Sequence, residues 1–395
     1  MLRKNSIVVP KGFLTASCNC GIKRKKPDLV LFFSEVPASC AGVFTTNRVK
    51  AAPVILSQKI VRRGFVRGIV ANSGNANALT GNEGIEDAKK VIGVFSHALG
   101  IKDNELLIAS TGVIGIRLPV KKIISKAEFL AKILSSDVKS FINSAKAIMT
   151  TDSFYKLRSE KVKTKNGDFS ILGIAKGAGM ICPQMATMLC FIFTDADASP
   201  STLKKVLRDA VENSFNRITV DGDRSTNDTV FILSNGKSGI SVDEPKIREI
   251  FSKSLKSICS GLAEDIVKDG EGATKIFSVY VKGTKNNEMA KKIAYSVANS
   301  LLVKTAVYGG EPNYGRIAAS VGASGVKFDP FRLKIWVNNR LVVINGKMLN
   351  LKDDKSFSRK RIDFKIDVGD GSGEALVLSS DISTEYVKLN AGYMS

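Results

Sequence analysis

Two rhythms alternate along this chain. Short apolar runs rich in β-branched and aromatic residues, bounded by turn residues, predict strands at 28–33, 41–47, 68–71, 106–109, 169–175 and 187–193. Between them apolar positions recur at helical spacing. Ile85, Ala88, Val91, Ile92 and Phe95 predict a helix capped near Asn82 and ended by Gly100. Further helices are predicted at 119–134 and 137–149. Ser199-Pro200 opens another, carrying Leu203, Val206, Leu207, Ala210 and Val211, because a first helical turn tolerates the missing proline N–H. A long amphipathic helix follows at 245–268, then a strand at 276–281, a helix at 286–304 and a short helix opened by Asn313. From Leu333 onward strand and turn dominate, and Asp370-Gly371-Ser372-Gly373 predicts a hairpin. Interleaved strands and helices predict a layered α+β protein.

One junction in this pattern has a chemical use. Lys176-Gly177-Ala178-Gly179-Met180-Ile181-Cys182-Pro183-Gln184-Met185-Ala186-Thr187 is a flexible turn that delivers a threonine to the start of a buried strand. If the Ala186–Thr187 bond is cut, Thr187 gains an α-amine whose ordinary pKa is about 8. That amine can take the proton of the threonine hydroxyl, so nucleophile and base lie on one residue. A plain strand start accounts for the same residues, since threonine is common in strands. At 106–112 a strand runs into Ser110-Thr111-Gly112, which sets a hydroxyl beside a sterically open amide. Those two donors suit an oxyanion; a threonine-capped turn is an equal alternative. The small polar stretch 72–78 suits either a ligand or an ordinary turn. The acidic loop 216–230 lacks the glycine and glutamate positions of a calcium loop and reads as a supporting loop. Glu271 lies between two glycines at a helix-to-strand junction, where sites are often built.

Composition removes several classes. The net charge is +22, but the basic residues are dispersed, aromatics are few and no reader motif is present. A solvated lysine-rich surface explains the charge better than nucleic-acid binding. No apolar run approaches the roughly 20 residues that span a bilayer. The apolar part of the N-terminus is too short for a signal core, so no membrane partner and a cytoplasmic address are expected. The six cysteines lack zinc-ligand spacing, and no metal site is expected. A nucleophilic Cys182 is the weaker rival to Thr187. A single histidine, His97, falls on a predicted helix, so histidine-based triads depend on that one residue.

The wording of the 176–189 stretch resembles the self-cleavage site of the ornithine acetyltransferases, the glutamate N-acetyltransferases of arginine biosynthesis. The resemblance runs through nearly the whole chain. It includes Pro10-Lys11-Gly12-Phe13, Gly42-Val43-Phe44-Thr45-Thr46-Asn47, Ser73-Gly74-Asn75-Ala76-Asn77-Ala78, Ser110-Thr111-Gly112-Val113-Ile114-Gly115 and Met149-Thr150-Thr151-Asp152. It continues through 215–229, 270–275, Pro312-Asn313-Tyr314-Gly315-Arg316-Ile317 and 385–391. It implies an αββα-type sandwich with a smaller C-terminal α/β part. It implies self-cleavage into an α chain, 1–186, and a β chain, 187–395, that stay together, with a heterotetramer of two of each. Thr187 would be the nucleophile that takes acetyl from N-acetylornithine and passes it to glutamate, with Thr111 and Gly112 as the oxyanion hole. Thr150, Thr151, Lys176, Thr187, Glu271, Asn390 and Ser395 would contact substrate. No cofactor is implied, and acetyl-CoA is a donor only for the bifunctional members. Cys182, Gln184, Gly310-Glu311-Pro312 and Gly392 depart from the family pattern and bear on rate and substrate preference. Two rivals remain: a related amidase or aminopeptidase with water as acceptor, and a basic nucleic-acid-binding protein.

Overall fold

The computed structural model describes residues 7–182, 188–350 and 355–392. In chain order the strands are β1 (Phe13–Cys18), β2 (Leu29–Phe44), β3 (Phe65–Asn75), β4 (Leu106–Val113), β5 (Lys156–Thr164), β6 (Gly167–Lys176), β7 (Leu189–Thr194) and β8 (Ile218–Thr219), then β9 (Thr229–Ser234), β10 (Ile276–Thr284), β11 (Lys334–Val337), β12 (Arg340–Ile344), β13 (Lys347–Met348), β14 (Arg361–Asp367) and β15 (Gly373–Ser380). The helices are α1 (Ala52–Val61), α2 (Gly81–Leu99), α3 (Val120–Ile124), α4 (Ala127–Lys132), α5 (Val138–Ala147) and α6 (Pro200–Glu212), then α7 (Pro245–Lys268), α8 (Asn287–Ala298), α9 (Leu301–Gly309), α10 (Tyr314–Gly322) and α11 (Thr384–Gly392).

The strands form two sheets. The larger has the order β4-β3-β2-β9-β7-β6-β5, with β1 beside β2. Its interior strand β7 shows why both faces need cover, since every one of its residues is buried. Cys190 and Ile192 meet Leu207 of α6 and Phe251, Leu255 and Leu262 of α7. Leu189, Phe191 and Phe193 point the other way, among Phe13, Phe32 and the α5 residue Phe141. Phe193 sits 5.0 Å from the Phe32 ring and 5.2 Å from Phe13, within the range of favourable aromatic pairing. Strands β2 to β4 send Leu29, Leu31, Val70 and Ile108 against Val91 and Phe95 of α2.

The smaller sheet has the order β13-β12-β11-β14-β10-β15-β8. Val279 and Val281 of β10 pack on Ile293 and Val297 of α8. This is the expected layered α+β sandwich with a smaller C-terminal part.

Several elements differ from the sequence prediction, each for a local reason. The 286–304 helix is two helices, because the Ser300 side chain accepts from Val303 N–H and starts a new one. The 119–134 helix divides at 125–126 into α3 and α4. Helix α2 begins at Gly81, one residue before Asn82, and ends as expected in left-handed Gly100. No hairpin forms at 370–373: β14 runs parallel to one edge of β10 and β15 antiparallel to the other, so β10 lies between them. The 72–78 stretch is only partly loop, because β3 extends to Asn75, and 110–112 is strand throughout, because β4 runs on to Val113.

Phe193→Ala should cost about 3–5 kcal/mol by emptying the aromatic cluster. Urea denaturation should show the midpoint falling with the slope unchanged.

Candidate active site

The extensions of β3 and β4 build one wall of a cleft. Their parallel register pairs Ser73 with Thr111 and Gly74 with Gly112, then shifts at Asn75. At Gly112 φ is +134°, and a Cβ would lie 2.3 Å from the Gly74 carbonyl carbon. Only glycine lets the two backbones approach this closely. The polar residues around them are scaffolding: Asn227 donates to Ala76 O at 2.7 Å and Ser110 O at 2.8 Å, and Ser110 Oγ donates to Asn72 at 2.6 Å.

Lys176 ends β6 and is 2% exposed. Its Nζ donates to Thr111 Oγ1 at 3.2 Å, which leaves the threonine hydroxyl proton free to donate elsewhere. Burial pushes the Lys176 ammonium below its ordinary range, opposed by the charge of Asp152. Burial alone would raise the Asp152 carboxyl. The ammonium groups of Lys176 and Lys156 overcome that and hold it well below the carboxylate range.

Asp152 is the junction of the site. Its Oδ1 accepts from Lys156 Nζ and from Gly177 N–H, both at 2.7 Å, and its Oδ2 accepts from Thr150 N–H at 2.9 Å. Lys156 Nζ also donates to Asp269 Oδ2 at 2.5 Å, and Asp269 accepts from Ser153 N–H at 3.1 Å. Asp269 caps α7 two residues before Glu271. Lys23 reaches in from the loop after β1 and donates to Met149 O at 2.5 Å; burial pushes its amine down to about 8.

The opposite wall carries Glu271. Its N–H donates to Ala178 O at 3.0 Å, and its Oε2 accepts from Asn390 Nδ2 of α11 at 2.9 Å. The carboxylate lies across Gly179, where a Cβ would be 2.4 Å from Glu271 Cδ. The enclosed space is about 200 Å³. Of the residues expected to form a site, Thr111, Gly112, Thr150, Thr151, Lys176, Glu271 and Asn390 all line it. Both threonines of the pair reach the cleft. Ala186, Thr187 and Ser395 lie outside the described residues. Their described neighbour Met188 is held at both ends, its N–H donating to Asp228 Oδ1 and its carbonyl accepting from Thr229 N–H, each at 3.0 Å. The next residue, Leu189, pairs with Lys176 across the strands.

Sequence reasoning assigned no role to Lys156 or Asp269, and read Asp221 only as part of a supporting loop and Tyr386 only as part of a quoted motif, as it did Asp152. Nothing but the fold brings these together. His97 is exposed on α2. Burial pushes the Cys182 thiol up to about 11, which leaves little thiolate for a cysteine nucleophile at neutral pH. Among the described residues no group of three or more His, Cys, Asp or Glu gathers as metal ligands, and no helix is long and apolar enough to cross a membrane.

Replacing Lys156 by Met would leave two facing carboxylates buried without their cation. Removing one partner of such a network costs about 3–5 kcal/mol. Thermal unfolding of Lys156→Met should show that loss, well beyond the ~1 kcal/mol of a surface ion pair such as Lys89–Glu86.

The model of the ArgJ family matches residues 14–395. The chain is 43% identical over 396 residues to the arginine biosynthesis bifunctional protein ArgJ of Thermotoga neapolitana, covering 98% of this chain and 99% of that one. It is 41% identical over 391 residues to the glutamate N-acetyltransferase of Methanopyrus kandleri, covering 97% and 99%. Among solved structures it matches the ornithine acetyltransferase of Mycobacterium tuberculosis in complex with ornithine, at 36% identity and a TM-score of 0.42, over 44% of this chain and 92% of that one. A family match over nearly the whole length, on a chain whose polar residues converge on one cleft, places the protein: it belongs to the ArgJ family, the enzymes of arginine biosynthesis.

Proposed function

We propose that this enzyme transfers the acetyl group of N2-acetylornithine to glutamate, and that Thr187 carries the acetyl group between them. The polarity of the cleft is the observation that carries the proposal. Lys176 lines it as a buried ammonium, and Glu271, held by Asn390, lines it as a carboxylate. An amino acid offers a carboxylate to the first and an ammonium to the second, and charge-assisted bonds of this kind are the strong ones. The names of the relatives point the same way.

In this proposal the Ala186–Thr187 bond is cut, giving fragments 1–186 and 187–395 and a free α-amine on Thr187. That amine takes the hydroxyl proton as Oγ attacks the acetyl carbonyl carbon. The carbonyl oxygen becomes an oxyanion, received by the Thr111 hydroxyl and the Gly112 N–H. Collapse breaks the C–N bond, the proton passes to the departing ornithine amine, and an acetyl ester stays on Thr187. The amine of glutamate then attacks the ester carbon. Thr187 Oγ leaves, recovers its proton, and N-acetylglutamate departs. Atoms balance without a cofactor. Thr150, Thr151 and Ser395 complete the substrate contacts. Acetyl-CoA as a second donor, an assembly of two α and two β chains, and a cytoplasmic location belong to the same proposal.

Purified enzyme given N-acetylornithine should release no more than about one ornithine per active site without glutamate, and should turn over only when glutamate is present. Release into water alone would favour an amidase and overturn the acceptor step. Thr187→Ala should remain one chain by denaturing mass spectrometry and lose at least about a thousandfold in rate. Thr187→Ser should retain partial cleavage and activity, since a hydroxyl remains.

A further inference from the structure

The turn between β6 and the cleavable segment has an unusual backbone. Met180 has φ +56°, a left-handed conformation that non-glycine residues seldom adopt. Such a conformation persists only where its surroundings over-determine it. Asp152 and Glu271 hold the start of the turn, at Gly177 and Ala178, and one loop holds Met180 and Ile181. Asp221 Oδ2 accepts from Met180 N–H at 2.5 Å, and Oδ1 accepts from Ile181 N–H at 2.8 Å. The Ile181 carbonyl is held as well, by Val220 N–H at 2.8 Å and Thr219 Oγ1 at 3.0 Å. Ile181 is therefore gripped at both its donor and its acceptor. The same loop holds Met188 through Asp228 and Thr229. Residues 181 and 188 are fixed by one stretch of chain, 219–229.

Asp221 also receives Asp223 N–H at 3.2 Å, and the Tyr386 hydroxyl of α11 approaches its Oδ2 at 3.5 Å. Four donors fill the acceptor positions of a carboxylate. Asp221 thus has no capacity left for a substrate ammonium, although it lines the cleft. Its work is on the backbone.

We propose that Asp221 is a positioning residue: its carboxylate holds Met180 in its left-handed conformation and Ile181 beside it, fixing the end of the turn that follows Lys176, and ties that turn to the helix carrying Asn390. The proposal rests on the acetyl-transfer reading for its catalytic consequence, but the clamp itself does not depend on it. Burial pushes the carboxyl up to about 6, against the four donors, with Asp223, Tyr386 and Cys182 close by and Lys304 facing it from α9. The sign matters. A carboxyl raised in the folded state subtracts stability as pH rises from about 4 through about 6, so at neutral pH the protein keeps this charge at a cost to overall stability.

The test is Asp221→Asn, which retains the shape but turns an NH₂ toward one of the two backbone amides. Hydrogen exchange read by mass spectrometry should rise about tenfold or more for the 177–182 peptide while β7 and β9 stay protected. Self-cleavage and kcat should fall about tenfold or more, with KM for N-acetylornithine nearly unchanged. Tyr386→Phe, which removes one of the four donors, should give a smaller change in the same direction. Wild-type exchange at 177–182 in Asp221→Asn would overturn the proposal. So would a uniform rise in exchange across the whole protein, or a loss confined to KM. The exchange measurement reads the clamp even in a wild type that transfers no acetyl group, so failure of the function and failure of the clamp are separable.

Discussion

A single buried ammonium holds the site together. Lys156 has no exposed side-chain surface and lies between Asp152 and Asp269, whose side chains are 0% and 2% exposed. Each carboxylate has a second duty. Asp152 fixes the amides of Thr150 and Gly177, and Asp269 fixes Ser153 and the end of α7. Three segments far apart in sequence, near 150, 177 and 270, are thereby locked to one cation. Charges in a low-dielectric interior demand complete pairing, and that demand leaves the network few alternative geometries. Rigid placement of Lys176 and Glu271 in one cleft follows from it, and the electrostatic account of acyl transfer requires such preorganisation.

Much of this was legible in the sequence where the signal is periodic or local. The α7 pattern gives 245–268 to the residue, and Ser199-Pro200 gives the start of α6. The Thr-Gly pair, Lys176 and Glu271 were visible as residues in suggestive turns, and all line one cleft. What escaped was what depends on pairing across the chain. Asp370-Gly371-Ser372-Gly373 has the composition of a hairpin turn, yet its flanking strands take opposite sides of β10, a strand far upstream in the chain. Lys156 reads as an ordinary lysine opening an alternating strand. Only the fold reveals that its side chain points inward between two acids.

Glycines mark the close approaches that chemistry here requires. At Gly112 the neighbouring strand's backbone, and at Gly179 the Glu271 carboxylate, occupy the space a side chain would need. In both cases a polar group can lie against bare backbone. The β4 end at 110–112 and the turn at 177–179 therefore depend on atoms they lack, and a composition count passes over them.

The strand order has a consequence for how the molecule is made. In the larger sheet, β9 and β7 lie between β2 on one side and β6 on the other. Both flanking strands precede residue 182 and both inner strands follow residue 188. A break in the β6–β7 connection would leave the downstream piece wedged inside a sheet whose rims belong to the upstream piece, joined along two hydrogen-bonded edges. Synthesised apart, each piece would expose long unpaired strand edges, which invite aggregation. One continuous polypeptide avoids that hazard, because the interleaving would be complete before any bond was cut, and a cut would then change covalent connectivity without changing which strands are neighbours.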